Sequence, residues 1–340
     1  MTFRVKAGVR LVDRMLNMGE GFCMSDIYMI TGGSGFIGSH IAEELVKEGK
    51  KVRIYDNLSS GHIENIEFIK HQVEFIKGDI RDADDLDKAM HGVRYVFHEA
   101  ALVSVFDSVK RPNDNNDINL TGTLNVMMAA RKHGVKRVLL ASSAAVYGNN
   151  VELPKREMMR PEPESPYAIG KITGEHYLRI FCKLYGVQTV SLRYFNVYGP
   201  RQDPRSMYSG VISKFTDVLA KGQTPTIFGD GHQTRDFVFV NDIVQANLLA
   251  MHSEKAGNAE VFNVGTGRES SLLDLLTTLS KLFGVKVEPF LKEARAGDIR
   301  HSVSDISAAR TGLGYEPKYT LEQGLKQLVD SVVKKGRICD

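Results

Sequence analysis

The sequence predicts an α/β fold, a doubly wound parallel sheet with a smaller lobe beside it. Three observations carry that prediction. A short apolar run, Ile27–Thr31, enters a glycine-rich turn and then a helical pattern at Phe36–Glu48. Strand-like apolar runs alternate with helix-like stretches as far as Tyr194, and after Asn196 the texture changes to turns, short strands and separate helices. Strands buried on both faces read as continuous apolar runs, and their alternation with helices makes the sheet parallel.

Ile27–Thr31 is the first strand, with the Phe36–Glu48 helix behind it. Lys51–Tyr55, Val73–Lys77 and Val93–Glu99 read as the next three strands. Ile118–His133 has the length of a long helix and precedes a fifth strand at Arg137–Ala141. Tyr167–Tyr185 is a further helix and Gln188–Tyr194 a further strand. Asn196–Pro204 is turn-rich. Ser209–Lys221 reads as helix, Thr226–Val240 as short strands, and Asp242–Met251 and Ser270–Leu282 as helices. The expected division is a nucleotide lobe over residues 25–195, with a return at 236–267, and a substrate-binding lobe over 196–235 and 268–330.

With 340 residues, 42% hydrophobic and 25% charged, the chain has the makings of a large core shared by two joined lobes. A formal charge of +3 is too small to imply nucleic acid. No apolar run reaches membrane-spanning length. Cys23, Cys182 and Cys339 are widely spaced, which suggests a reducing cytoplasmic setting without a structural disulfide. Residues 1–24 mix basic and apolar residues without a signal-peptide core, and Met24 is a natural start before the first strand.

Thr31-Gly32-Gly33-Ser34-Gly35-Phe36-Ile37-Gly38 follows a strand and opens a helix, the arrangement of a Rossmann dinucleotide site. Gly32 suits the tight turn, Gly35 a close diphosphate and Gly38 helix–sheet packing; the helix start adds unpaired amides and a positive dipole end. Asp56 ends the second strand, where a carboxylate binds a ribose diol and repels a ribose phosphate, favouring NAD over NADP. Asp79, in Gly78-Asp79-Ile80, reads equally as an adenine contact or a solvent-facing turn acid. Ala100 and Ala101 permit close approach of a cofactor or serve local packing.

Ser165-Pro166-Tyr167 is a helix start: Ser165 caps, Pro166 suits the first turn, and Tyr167 lies near the positive end. Lys171 follows on the same face. A charge pair at ~4 Å with effective ε ~20 has a scale of ~4 kcal/mol, about what moves a tyrosine from ~10 to ~7. The expectation is therefore a Tyr167 phenolate favoured by Lys171 and NAD⁺. Ser143 or Ser142, in Ala141–Tyr147, reads as a hydroxyl partner or a turn residue. No Gly-x-Ser-x-Gly elbow accompanies them, which argues against a serine hydrolase. His98, His232 and His301 lack zinc spacing, so no metal is expected.

Together, Thr31–Gly38, Gly78-Asp79-Ile80, Ser142–Tyr147, Tyr167–Lys171 and Arg193–Pro200 make Ile27–Val329 closely resemble the extended short-chain dehydrogenase/reductase family, especially its nucleotide-sugar 4-epimerases. The resemblance implies Ser143, Tyr167 and Lys171 as the catalytic set. It implies Gly32, Gly35, Phe36, Ile37, Gly38, Asp56, Asn57, Asp79, Ile80, Ala100, Ala101 and Tyr194, with Tyr167 and Lys171, around NAD. The implied chemistry is transient oxidation at sugar C4, rotation of the ketone and return of the hydride, with no net use of NAD.

For a UDP-sugar substrate the resemblance implies Asn196, Arg235 and Arg295 on the diphosphate, Phe228 beside Thr226 enclosing the base, and contacts from Ser104, Ser143, Val211 and Asp298. Ordinary roles compete: turn capping for Asn196 and Ser104, solvation for the arginines, core filling for Phe228. Dehydratase-like relatives carry an Asp-Glu pair where Ala144-Ala145 follow Ser143, and a methyl group supplies no acid–base chemistry. Ser302 matches a wall position whose small size resembles enzymes that accept UDP-N-acetyl sugars; the competing role is a solvent-facing serine. The expected function is 4-epimerisation of UDP-glucose/UDP-galactose, extending to the N-acetyl forms. The alternatives are a UDP-glucuronate 4-epimerase or decarboxylase, and a non-catalytic nucleotide sensor. A homodimer through Ile118–His133 and Tyr167–Tyr185 is expected.

Overall fold

The computed structural model describes residues 26–203, 210–294 and 300–336. The chain first lays down β1 (Ile27–Thr31), β2 (Lys51–Asp56), β3 (Val73–Lys77), β4 (Val93–His98), β5 (Arg137–Ser143) and β6 (Gln188–Tyr194). Short strands follow: β7 (Asn196–Tyr198), β8 (Thr226–Phe228), β9 (Thr234–Arg235) and β10 (Phe237–Phe239). Then come β11 (Asn258–Val264), β12 (Ser270–Ser271), β13 (Phe290–Lys292) and β14 (His301–Ser302). Seven strands form one parallel sheet in the order β11-β6-β5-β4-β1-β2-β3. The order reverses direction at β1, the point where a doubly wound sheet opens a ligand crevice at its carboxyl edge.

The helices before β6 are α1 (Phe36–Lys47), α2 (Ala83–Ala89), α3 (Val105–Lys110), α4 (Pro112–Asn115), α5 (Thr123–Lys132) and α6 (Pro166–Tyr185). Beyond them lie α7 (Val211–Ala220), α8 (Val240–His252), α9 (Leu272–Phe283), α10 (Ser307–Leu313) and α11 (Leu321–Gly336). Successive strand side chains point to opposite faces, so one sequence run feeds two cores. Tyr28, Ile30, Val52, Ile54 and Phe97 pack with Ile41 and Leu45 of α1 and Ile243 and Val244 of α8. Met29, Tyr55, Val96, Val138 and Leu140 pack with Leu86 of α2, Val126 of α5 and Leu178 of α6. A third core joins Phe215 and Leu219 of α7, Leu275 and Leu279 of α9, and Leu325 and Leu328 of α11 around β8 and β10.

Two elements differ from the sequence reading in ways that matter for the site. The helix expected at Ile118–His133 starts earlier, because α4 continues through a π-helical stretch, Asn116–Gly122, into α5. The Asn119 side chain in that stretch is buried and bonds the Leu102 backbone in both directions, at 2.8 and 3.1 Å. A π turn of this kind recurs at functional sites. The fifth strand runs past Ala141 to Ser143, because Ala141, Ser142 and Ser143 all find parallel partners in Leu192, Arg193 and Tyr194. Asn258–Val264, to which the sequence reading assigns no element, pairs with β6 and places the segment after α8 at the edge of the large sheet.

Candidate active site

The glycine turn at the end of β1 is shaped by contacts rather than by composition alone. Gly32 has φ 71°, and a Cβ there would lie 2.7 Å from the Ala100 nitrogen. A Cβ on Gly38 would lie 2.4 Å from the Gly32 oxygen, so α1 starts against the turn only because Gly38 has none. Gly35 is the N-cap of α1 and contributes no side-chain cap, and no acidic residue occupies the first turn. The opening amides of α1 therefore remain available to an anion. Phe36 and Ile37 pack against the core formed by α7, α9 and α11.

Asp56, only 5% exposed, accepts from the Ser34 amide at 2.9 Å and the Leu58 amide at 2.8 Å. Burial raises its pKa and the two amide bonds oppose the rise. A carboxylate has about four acceptor positions, so capacity remains for a ribose diol. A glycine cradle that a Cβ would fill, uncapped helix amides and this carboxylate fit NAD. Asp79 is more committed: it accepts from Asn57 at 2.8 Å and takes a two-pronged bond from Arg81 at 2.9 and 2.7 Å. Arg81 holds the Asp79 carboxyl well below the usual range. Ile80 is buried against Gly122, where a Cβ would meet it at 2.5 Å. The Ala100 amide lies 3.4 Å from the Thr31 hydroxyl, and Ala101 is half-buried.

Ser165 caps α6 through the Ala168 amide at 3.2 Å, with Pro166 in the first turn. Gly170 lets this helix settle on the π stretch: a Cβ there would come within 2.8 Å of the Asn119 Cβ. The result places Tyr167 and Lys171 beside the end of β5. Ser143 accepts from the Ala145 amide at 3.1 Å, and its side chain lies close enough to the Tyr167 phenol to act on its ionisation. Ser142 turns away and donates to Glu175. Lys171 is 6% exposed, its Nζ donating to the Ala141 carbonyl at 2.8 Å and standing 5.6 Å from the Tyr167 ring centre.

Within the chain alone the Tyr167 phenol does not follow the expected downward shift. Burial raises its pKa, nearby Ser143 opposes the rise, and Glu99 reinforces it. The expectation counted the helix start, Lys171 and bound NAD⁺ before opposing costs; desolvation is the opposing cost, since it penalises a phenolate first. Burial also brings Lys171 down to about 8, against the pull of Glu99.

Beyond β6, the Asn196 amide and Nδ2 both donate to the Asp236 carbonyl, at 3.1 and 3.3 Å. Asp236 is fully buried and its carboxylate takes Thr266, Gly267 and Ser304 donors, tying three segments at one point. Arg235, next in sequence, donates to the Thr234 carbonyl at 2.8 Å. Parallel pairing of β9 with β14 sets Ser302 opposite Arg235. Val211 opens α7, and Thr226 and Phe228 lie on β8. Ser104 caps α3 by accepting from the Asp107 amide at 2.9 Å, the capping role that competes with sugar contact. Arg295 and Asp298 lie outside the described residues.

His98 bridges the Thr31 and Thr123 hydroxyls at 2.7 and 3.0 Å, and burial pushes it down to about 3. Among the described residues no group of three or more His, Cys, Asp or Glu is arranged to hold a metal ion, and no helix is long and apolar enough to cross a membrane.

The sequence reading misses four residues that organise this site: Glu99, Asn119, Glu175 and Asp236. Glu175 takes two bonds from Arg193 at 2.9 and 2.8 Å and one from Ser142, so a buried ion pair fastens α6 to β5 and β6. Its place one turn beyond Lys171 is visible in the sequence; its partner is not.

Residues 28–265 match the NAD dependent epimerase/dehydratase family. The UDP-glucose 4-epimerase of Mycolicibacterium smegmatis is 40% identical over 313 residues, covering 91% of this chain and 99% of that protein. Among solved structures, a UDP-glucose 4-epimerase of Thermotoga maritima, determined with UDP-glucose, has 42% identity and a TM-score of 0.86, over 91% of this chain and 99% of that one. The UDP-N-acetylglucosamine 4-epimerase of Methanobrevibacter ruminantium, in complex with UDP-N-acetylmuramic acid, has 39% identity and a TM-score of 0.87, over 92% and 99%.

Proposed function

The chain belongs to the NAD dependent epimerase/dehydratase family, and on that premise we propose that it interconverts C4 epimers of UDP-hexoses, UDP-glucose with UDP-galactose and their N-acetyl counterparts. The observation that carries the reading is the meeting of Ser143, Tyr167 and Lys171 at the end of β5, with Lys171 buried on the Tyr167 helix face, beside the glycine turn at the sheet's carboxyl edge. NAD, when bound, supplies a reversible hydride acceptor for sugar C4.

Tyr167 takes the proton of the C4 hydroxyl, and Ser143 orients that oxygen. Lys171 holds the nicotinamide ribose and its charge stabilises the phenolate once formed. The α1 amides and Asp56 hold the diphosphate and the ribose diol, with Asn57, Asp79, Ile80, Ala100, Ala101 and Tyr194 forming the rest of the cofactor wall. Asn196 and Arg235, with Arg295 and Asp298, hold the substrate's diphosphate end; Thr226, Phe228 and Val211 enclose its base, and Ser302 walls the C2 side. Ala144 and Ala145 after Ser143 leave no carboxyl group for elimination, which favours epimerisation over dehydration or decarboxylation.

A panel of UDP-hexoses and UDP-glucuronate, with product stereochemistry resolved, tests the reading. Interconversion at C4 without mass change is expected for the hexoses. Release of carbon dioxide, or no conversion by protein that binds NAD, overturns it.

A further inference from the structure

Glu99 is the residue at which the chain leaves β4. Its amide donates to the Thr31 carbonyl at 3.1 Å, which seats it beside the glycine turn. In the sheet, β5 lies between β4 and β6, and Ser143 at its end is the register partner of Tyr194. The Tyr194 hydroxyl nevertheless donates to Glu99 Oε1 at 2.9 Å, so this bond reaches across the end of the strand that carries Ser143. Asn247 Nδ2 of α8 donates to the same phenol oxygen at 2.7 Å, which leaves the single Tyr194 proton for the carboxylate. One bond from a neutral phenol is little compensation for a desolvated carboxylate. The charge that answers it comes from α6, where Lys171 acts on Glu99 and Glu99 acts in turn on Lys171 and Tyr167.

We propose that Glu99 is a positioning residue that works through charge, governing which of Tyr167 and Lys171 is ionised before the substrate hydroxyl arrives. The groups that face it are Tyr194 from β6 and the Tyr167–Lys171 pair from α6, with neutral Asn247 behind Tyr194. Burial pushes Glu99 up to about 7, against the Tyr194 bond and Lys171. Above that pH the Glu99 anion opposes a second anion on Tyr167 and supports the Lys171 cation. Below it both effects relax. Glu99 is already ionised when Tyr167 begins to lose its proton, so it acts on that phenol as a standing negative charge.

The inference rests on reading Tyr167 as the proton acceptor, but its test needs no turnover. Tyrosinate absorbance is titrated for the native chain, Glu99→Gln and Glu99→Asp, each with and without Tyr167→Phe, so that the difference isolates one phenol. In Glu99→Gln the Tyr167 midpoint is expected to fall by about half a unit to one unit, the scale of one nearby, partly screened charge. Both limbs of the pH–rate profile should move to lower pH with it, because Lys171 loses its supporting anion and Tyr167 its opposing one. Glu99→Asp should stay near the native midpoint. If Glu99→Gln does not fold, Glu99→Ala, which also removes the charge, gives the same direction. An unchanged midpoint in a folded Glu99→Gln variant, or an equal shift in Glu99→Asp, overturns the proposal. A shifted midpoint in protein that converts no UDP-sugar supports it while removing the epimerase reading.

Discussion

Tyr167 sits in surroundings that favour the neutral phenol, and Lys171 in surroundings that favour the neutral amine. A base must be deprotonated and its supporting cation protonated, and because Lys171 titrates at about 8 while Tyr167 lies above its ordinary value, turnover should rise with pH up to about 8, level off, and fall only above the Tyr167 midpoint. Tyr167→Phe keeps the ring and removes the proton acceptor. It should bind NAD normally and lose ~10²–10⁴-fold in kcat, measured with a UDP-hexose; near-native turnover in a folded variant would end the assignment. Ser302 stands opposite Arg235 where β14 pairs with β9, and Ser302→Tyr adds a ring on the proposed C2 side. The expected outcome is ~1–3 kcal/mol lost in kcat/KM for UDP-N-acetylglucosamine and much less for UDP-glucose. Equal losses would indicate general damage, and no loss would place Ser302 outside the sugar wall.

At the level of elements, the site depends on how α6 is held. Its start is fixed locally by Ser165 and Pro166, its flank by Gly170 on the π stretch, and its middle by the Glu175–Arg193 pair. Both side chains of that pair are almost fully buried. Removing one partner leaves the other charged and desolvated, so Glu175→Ala should cost ~3–5 kcal/mol in unfolding free energy. Denaturant unfolding measures this; a cost below ~1 kcal/mol would mean that Arg193 finds another partner. The strands contribute by length: β5 ends at Ser143 because its last residues pair with β6, and a shorter strand would leave the serine in a free turn.

At the scale of the whole molecule, the outer face of α6 carries exposed apolar residues alongside exposed His176 and Arg179. Ile169, Ile180 and Leu184 are exposed on it, Leu184 by 63%, and Met128 of α5 and Val105 and Val109 of α3 are exposed too. Scattered apolar residues need no explanation, but repeated positions along one long helix suit pairing about a two-fold axis. The protein is expected to be a homodimer by light scattering at assay concentration, and Leu184→Glu should shift it toward monomer. A native monomer would remove this reading. Since the same helix carries Tyr167 on its inner side, the Leu184→Glu variant also shows whether assembly affects turnover.

What the sequence determined by itself was local. The strand–glycine turn–helix unit was legible because a positive φ at Gly32 and the missing Cβ at Gly38 are backbone requirements that residue identity reports. The Ser165 cap and the shared face of Tyr167 and Lys171 follow from helix geometry, and the parallel sheet from the rhythm of apolar runs. The tertiary structure decided whatever joins distant residues. Glu99 meets Tyr194 from 95 positions away, Arg193 meets Glu175 across two elements, and Ser304 reaches Asp236 from 68 positions away. The direction of the Tyr167 shift belongs with these, because desolvation depends on every segment that covers a group and spacing along the chain does not encode it.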